Sequence, residues 1–284
     1  MIEQMIVNGV LAGLIYVIMA LGFTVIFGIM RIVNFAHGEF YMIGAAAVLV
    51  LFGTLGWPYL LALVAGGLLA GTIGVIAERA FFRKLARDEM PGMIMSLAIS
   101  IFLQSVMLQY LGPSELAVER PFTGVWRLGS AVVPWDRTIV AIGALVILVA
   151  FYFFLRYARL GLAMQAVAQD PETASLMGVE SGIVYSASFG IGCLLAGLAG
   201  GLMAPIYTIG PYMGELPMLK AFVVVILGGL GSVPGAVLGG LLLGLSESVL
   251  STQFSTGVAL IASFAIVMLV VIVRPSGLMG RSSR

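Results

Sequence analysis

Few residues in this 284-residue chain could do chemistry, and most of them fall in two places. The first is the stretch from Met30 to Ile43. It holds the only histidine, His37, together with Arg31, Asn34, Gly38, Glu39 and Tyr41. The second runs from Gly214 through Glu215 to Lys220, and Glu247 stands further on between Ser246 and Ser248. Both places lie among long apolar runs. Charged groups at membrane depth cost several kcal/mol unless they face protein or water, so they mark a pathway or a structural joint.

Each polar group has two readings. His37 could hydrogen-bond or gate a passing solute, or it is a satisfied structural group, as buried polar groups usually are. Glu39 could pair with Arg31 or His37, and Glu215 with Lys220. If they are not paired, Glu39, Glu215 and His37 could act as proton-relay groups. Glu247 could line a path. A zinc site is excluded, because roughly three or four ligands are needed and there is one histidine and one cysteine. That cysteine, Cys193, lies in an apolar run and reads as a packed core thiol. No nucleophile–base pair is visible, so the residues give no enzyme, and they ask for no cofactor.

These groups are positioned by membrane helices. Hydrophobic residues make up 61% of the chain and charged residues 10%, and the mean hydropathy is +1.14. A soluble domain of this size has no core for so much apolar surface. Runs of about 20 apolar residues, each able to cross about 30 Å of hydrocarbon, recur throughout. We expect an all-α polytopic membrane protein with spans near 6–29, 37–53, 59–77, 93–111, 137–155, 183–207, 219–231, 235–250 and 258–273. The 219–231 and 235–250 pair is short, and a glycine-rich break divides it. These two read as broken or re-entrant half-helices, which leaves about eight or nine crossings. The net charge of +1 gives no reason to expect nucleic acid.

Positive charge is uneven. One side collects Arg31; Arg79, Arg83, Lys84 and Arg87; Arg156 and Arg159; and Arg274, Arg281 and Arg284. The other side has Arg120, Arg127, Arg137 and Lys220. The positive-inside rule puts the first group in the cytosol, with the N-terminus outside and the C-terminus inside. The N-terminus lacks the basic region of a signal peptide, so the first span reads as part of the mature protein.

An internal repeat is also legible. Gly38-Glu39-x-x-Met42-Ile43-x-Ala45 matches Gly214-Glu215-x-x-Met218-Leu219-x-Ala221. Further on, Gly66-Gly67-Leu68-Leu69-Ala70-Gly71 matches Gly239-Gly240-Leu241-Leu242-Leu243-Gly244. Five spans between the Gly-Glu motifs invert the second copy. Inverted repeats place a substrate path between the halves. We expect one membrane domain over 1–284, with an N-half near 6–111 and a C-half near 137–273.

The polar segment 156–182 is too patterned for a slack loop. Residues 162–169 read as one short helix. Asp170 is a helix N-cap, Pro171 suits the first position, Glu172 favours the positive end, and Gly178 is a stop after 171–177. Such a capped knob transmits force or docks a partner, or else it lies on the headgroups.

Several runs carry a family resemblance. Gly13-Leu14-Ile15-Tyr16, Ala20-Leu21-Gly22-Phe23-Thr24 and Phe27 to Phe40 resemble the membrane permeases of bacterial high-affinity branched-chain amino acid ABC importers, in particular the shorter of their two permease subunits. The likeness continues through Ala174-Ser175-Leu176-Met177-Gly178-Val179, Lys220-Ala221-Phe222, Leu227 to Ala236 and Arg274 to Gly280. It implies a type II ABC importer permease fold with inverted halves, in a bacterial inner membrane. It also implies a second homologous permease, two cytosolic ATPases and an extracytoplasmic binding protein. By the same likeness, Asp170, Pro171, Glu172, Ala174, Ser175, Leu176 and Gly178 would form the coupling helix that docks on the ATPase. The solute would be a branched-chain or related hydrophobic amino acid, or else urea or a short amide as in related permeases. The chain has no phosphate-binding Gly-x-x-x-x-Gly-Lys-Ser/Thr loop of its own. An ion-coupled secondary transporter is the competing class.

Overall fold

The structure is a computed structural model that describes residues 2–85, 88–129, 131–274 and 276–280. Arg87, Pro275, Arg281 and Arg284, which entered the charge and motif readings, lie outside the described residues. Among the described residues, eleven α-helices run in chain order. The first four are α1 (Ile2–Met30), α2 (His37–Val48), α3 (Tyr59–Ala77) and α4 (Glu89–Leu111). After these come a hairpin of β1 (Val125–Leu128) and β2 (Ala131–Pro134), then α5 (Trp135–Tyr157), α6 (Arg159–Gln169) and α7 (Pro171–Leu176). The last four are α8 (Ser181–Met203), α9 (Glu215–Gly228), α10 (Val233–Gln253) and α11 (Thr256–Val273). Among the described residues, eight helices are long and apolar enough to cross a bilayer, counting the π-helical turn that extends α2 to Thr54. The short hairpin between α4 and α5 is an addition to the expected all-helical chain.

Three boundaries differ from the sequence reading. Residues 78–85, which fall between two expected spans, are not a loop, because α3 continues through a π-helical turn (Glu78–Phe82) and a 3-10 turn (Arg83–Leu85). Two charges pair there: Ser186 Oγ of α8 donates to Glu78 Oε2 at 2.5 Å, and Arg83 pairs with Glu78 at 3.4 Å. Helix α10 is a full 21-residue span, so α9 alone is short, at 14 residues. Helix α8 stops at Met203, and the chain after it is not helical.

Two segments re-enter the bundle. Helix α1 ends at Arg31, which adopts a left-handed φ of 58° while its N–H reaches the carbonyl of Phe27. Residues 32–36 then fold back along α1, so that α2 starts beside Met19, well inside the bundle. Residues 204–214 do the same from the opposite end and deliver the start of α9. From their meeting point α2 runs toward the end that holds the hairpin, where Tyr59 just beyond it hydrogen-bonds Gly201 and packs on Phe122. Helix α9 runs toward the other end. There its last carbonyls, on Leu227 and Gly228, accept from the N–H groups of Leu278 and Met279.

Small residues let the long helices close. A Cβ placed on Gly66 would meet α2, and one on Gly67 or Gly71 would meet α8. At the matching motif, a Cβ on Gly239 would meet α9, and one on Gly240 or Gly244 would meet α1. In lipid, which offers no hydrophobic drive between helices, such close backbone approach supplies the packing energy.

Candidate functional site

A cavity of about 490 Å³ is bounded by α1, α9 and the re-entrant 204–214 segment. Its mouth lies at the hairpin end, beside Asn8, Pro113, Glu115 and Arg137. Its deep wall is made by Tyr16, Met19, Tyr41 and Lys220. Leu11, Ile15, Met203 and Ile206 give it an apolar lining. A hollow of this size suits one small organic solute.

Beyond Met19, α1 packs into an aromatic cluster. His37 Nε2 donates to the Met19 carbonyl at 3.1 Å, which assigns the ring proton to that nitrogen. The His37 ring stands edge-on to Phe23, with centroids 5.9 Å apart. Phe23 meets Phe222 at 6.0 Å, and Phe222 meets Phe35 at 6.4 Å. One phenylalanine comes from α1, one from α9 and one from the first re-entrant segment. Together they form an aromatic cluster next to His37 that joins three elements.

The polar residues singled out in the sequence divide between these places. Asn34 is fully buried and holds the re-entrant turn: its Oδ1 accepts from the Ala36 N–H at 3.1 Å, and its carbonyl accepts from the His37 N–H. Gly38 and Gly214 lie in backbone contact where α2 and α9 begin. Glu39 does not pair with Arg31 or His37. Its Oε1 accepts from Ser100 Oγ at 2.9 Å and from Gln104 Nε2 at 2.8 Å, both on α4. Arg31 is exposed at the bundle end. Tyr41, only 3% exposed, lines the cavity.

The expected Glu215–Lys220 pair does not form either. Lys220 also does not belong with the outer-side cations, because it lies inside the bundle. Its Nζ donates to Glu247 Oε1 at 2.6 Å and to Tyr16 Oη at 2.7 Å, and Tyr16 Oη donates to Glu247 Oε2 at 2.7 Å. The ammonium also stands 4.9 Å from the Tyr16 ring centroid. Glu247 therefore backs Lys220 rather than lining the cavity. Helical spacing explains the change: Glu215 and Lys220 are five residues apart and do not share a face. Glu215 is exposed at the start of α9.

The capped knob has the expected local form. Asp170 Oδ1 accepts from the N–H groups of Glu172 and Thr173, Pro171 opens α7, and Ala174 is buried. Gly178 has φ of 87°, the left-handed value that a helix stop favours. Ser175 is exposed, and Leu176 and Met177 project at 87% and 81% exposure.

Sequence reasoning missed Tyr16, the three clustered phenylalanines, and Ser100 and Gln104. Tyr16, Ser100 and Gln104 carried a usable signal, as polar groups within apolar runs. The phenylalanines carried none, since aromatic residues are common throughout the spans.

The chain is similar to known proteins over nearly its whole length. The family described as "Branched-chain amino acid transport system / permease component" matches residues 5–273. The high-affinity branched-chain amino acid transport system permease protein LivH of Escherichia coli is 36% identical, over 98% of this chain and 95% of that protein. The corresponding BraD protein of Pseudomonas aeruginosa is 32% identical, with the same coverage. Among solved structures, PsaBC from Streptococcus pneumoniae in complex with Fab is similar at a TM-score of 0.49 and 15% identity, covering 92% of this chain and 88% of that one.

Proposed function

The chain belongs to the family of branched-chain amino acid transport system permease components, and we propose that its cavity is part of the path by which an ABC importer passes a branched-chain amino acid. It is a non-catalytic, multi-pass membrane subunit, and the family works with a separate ATPase and a substrate-binding protein. One observation carries the proposal: a solute-sized cavity at the hairpin end of the bundle, with Phe23, Phe35 and Phe222 packed together past Met19. The apolar lining supports a branched aliphatic side chain over urea or a short amide.

Around that path the remaining assignments follow. The hairpin end is extracytoplasmic and the α6–α7 end cytosolic, so the N-terminus is outside and the C-terminus inside. The uneven arginines support this, with Arg79, Arg83, Arg156, Arg159 and Arg274 at one end. Helix α7, with Leu176 and Met177 exposed at its tip, is the surface that the ATPase pushes. The inverted halves are an N-half near 6–111 and a C-half near 137–273. The paired packing of the glycine motifs on α3 and α10 supports this. A second, homologous permease covers the side of α9 that exposes Glu215, because a lone carboxylate at that depth needs protein or water beside it.

The test is uptake of radiolabelled L-leucine by proteoliposomes that hold the assembled transporter and its binding protein. Uptake is expected to require ATP inside the liposomes and to survive collapse of the proton and sodium gradients. Uptake that needs a gradient but no ATP would replace the importer with an ion-coupled transporter.

A further inference from the structure

The Tyr16–Lys220–Glu247 cluster has one commitment still open. A lysine ammonium carries three donors and no acceptor. Two of the Lys220 donors are placed, one on Glu247 Oε1 and one on Tyr16 Oη. Both Glu247 oxygens are taken as well, one by Lys220 and one by Tyr16. The carboxylate is engaged and set back from the wall, so the charged group that the cluster turns to the cavity is a cation with one open donor. Lys220 and Tyr16 stand in the cavity wall, and Glu247 stands behind them. Lys220 keeps 19% of its side chain exposed, so its head is within reach of a solute.

The other charged groups of the wall are Arg137 and Glu115, both at the mouth. Arg137 is exposed there, where water and salt screen it. At the deep end, Lys220 is the cation beside Leu11, Ile15 and Met19, which offer an aliphatic surface. A charge-assisted hydrogen bond is stronger where the solvent is thin.

We propose that Lys220 is a binding site for the carboxylate of a small amphipathic amino acid, held in place by Glu247 and Tyr16. This rests on the reading that the cavity lies on the transport path. The amino acid enters with its carboxylate toward Lys220 and its side chain along α1. Its carboxylate takes the third Lys220 donor, and the Glu247 pair need not break. Phe23, Phe222 and Phe35 then hold the solute at the aromatic cluster until α9 moves.

The site can be read by protection of a reporter cysteine in the cavity wall, Leu216→Cys, in membranes that carry the assembled transporter. Cys193 is fully buried and stays silent. A membrane-impermeant maleimide added from the hairpin side should label the reporter. L-Leucine should slow labelling about tenfold when it stands about ten times above its dissociation constant. The deaminated analogue 4-methylpentanoate should protect too, and the decarboxylated analogue 3-methylbutylamine should not. Lys220→Met should lose the protection, scored as the ratio of labelling with and without ligand within that variant, and Lys220→Arg should keep it. Protection by the amine, no protection by leucine, or protection that survives Lys220→Met but not Arg137→Gln would each overturn the carboxylate site and leave the path reading standing. A reporter that is not labelled at all would overturn the path reading itself.

Discussion

Gly38 and Gly214 touch through their backbones: a side-chain carbon on either one would fall on the carbonyl of the other. They precede Glu39 and Glu215, so two copies of one motif meet where α2 and α9 begin and diverge to opposite ends of the bundle. Two glycines are required because two helix starts cannot come so close with a methyl group between them. Gly38→Ala or Gly214→Ala is expected to cost about 1–3 kcal/mol, as overpacking does in a filled core. Gly53→Ala is the control, since its nearest neighbour would be Leu49 Cδ1 at 3.8 Å. Thermal unfolding in detergent should show a lower Tm for the first two variants and no change for the third.

Phe222 is the middle of the aromatic cluster, in contact with both Phe23 and Phe35. Phe222→Ala should open the route between the cavity and the α6–α7 end. The expected outcome is leucine leakage from preloaded proteoliposomes without ATP, together with ATPase activity that no longer depends on the binding protein. Phe222→Leu, which keeps most of the volume, should leak less.

The Lys220–Glu247 pair is about four-fifths covered, with 19% and 20% of the side chains exposed. Removing one partner leaves the other charge without its mate. Lys220→Met or Glu247→Gln should therefore destabilise the chain by about 3 kcal/mol, the lower end for a broken buried pair. The double variant Lys220→Met/Glu247→Leu should recover most of that loss. It should still fail in leucine uptake, which separates stability from solute binding.

Glu39 fastens α4, a helix with few other neighbours, through Ser100 and Gln104. Ser96 adds a second fastening, accepting from the Phe35 N–H at 3.0 Å. Glu39→Ala should free the upper part of α4 and raise its hydrogen exchange around 100–104, with α1 and α8 unchanged. Equal exchange in both proteins would remove the fastening role.

Asp170 caps α7, and its replacement by Ala should cost about 1 kcal/mol locally. Leu176→Glu alters only an exposed tip. It should leave membrane insertion and Tm intact while reducing co-purification of the ATPase and its stimulation by the binding protein. Full coupling in Leu176→Glu would place the docking surface elsewhere.

Much of this protein was legible in its sequence. Runs of apolar residues of bilayer length fix helices, because a backbone in lipid can satisfy its polar groups only within itself. The Asp170-Pro171 cap and Gly178 stop were readable because capping is local chemistry. The likeness between the two Gly-Glu motifs was readable too, and the structure sets Gly38 against Gly214. The tertiary structure decided which groups share a site. Glu39 took Ser100 and Gln104 rather than Arg31, and Lys220 took Tyr16 and Glu247 rather than Glu215. Those partners lie on other helices, and no local spacing encodes which faces turn toward each other. The re-entrant segments had the same cause. Residues 204–207 read as the end of a span and 32–36 fall between two spans. Neither reading could show that the chain turns back there to bring Gly38 against Gly214.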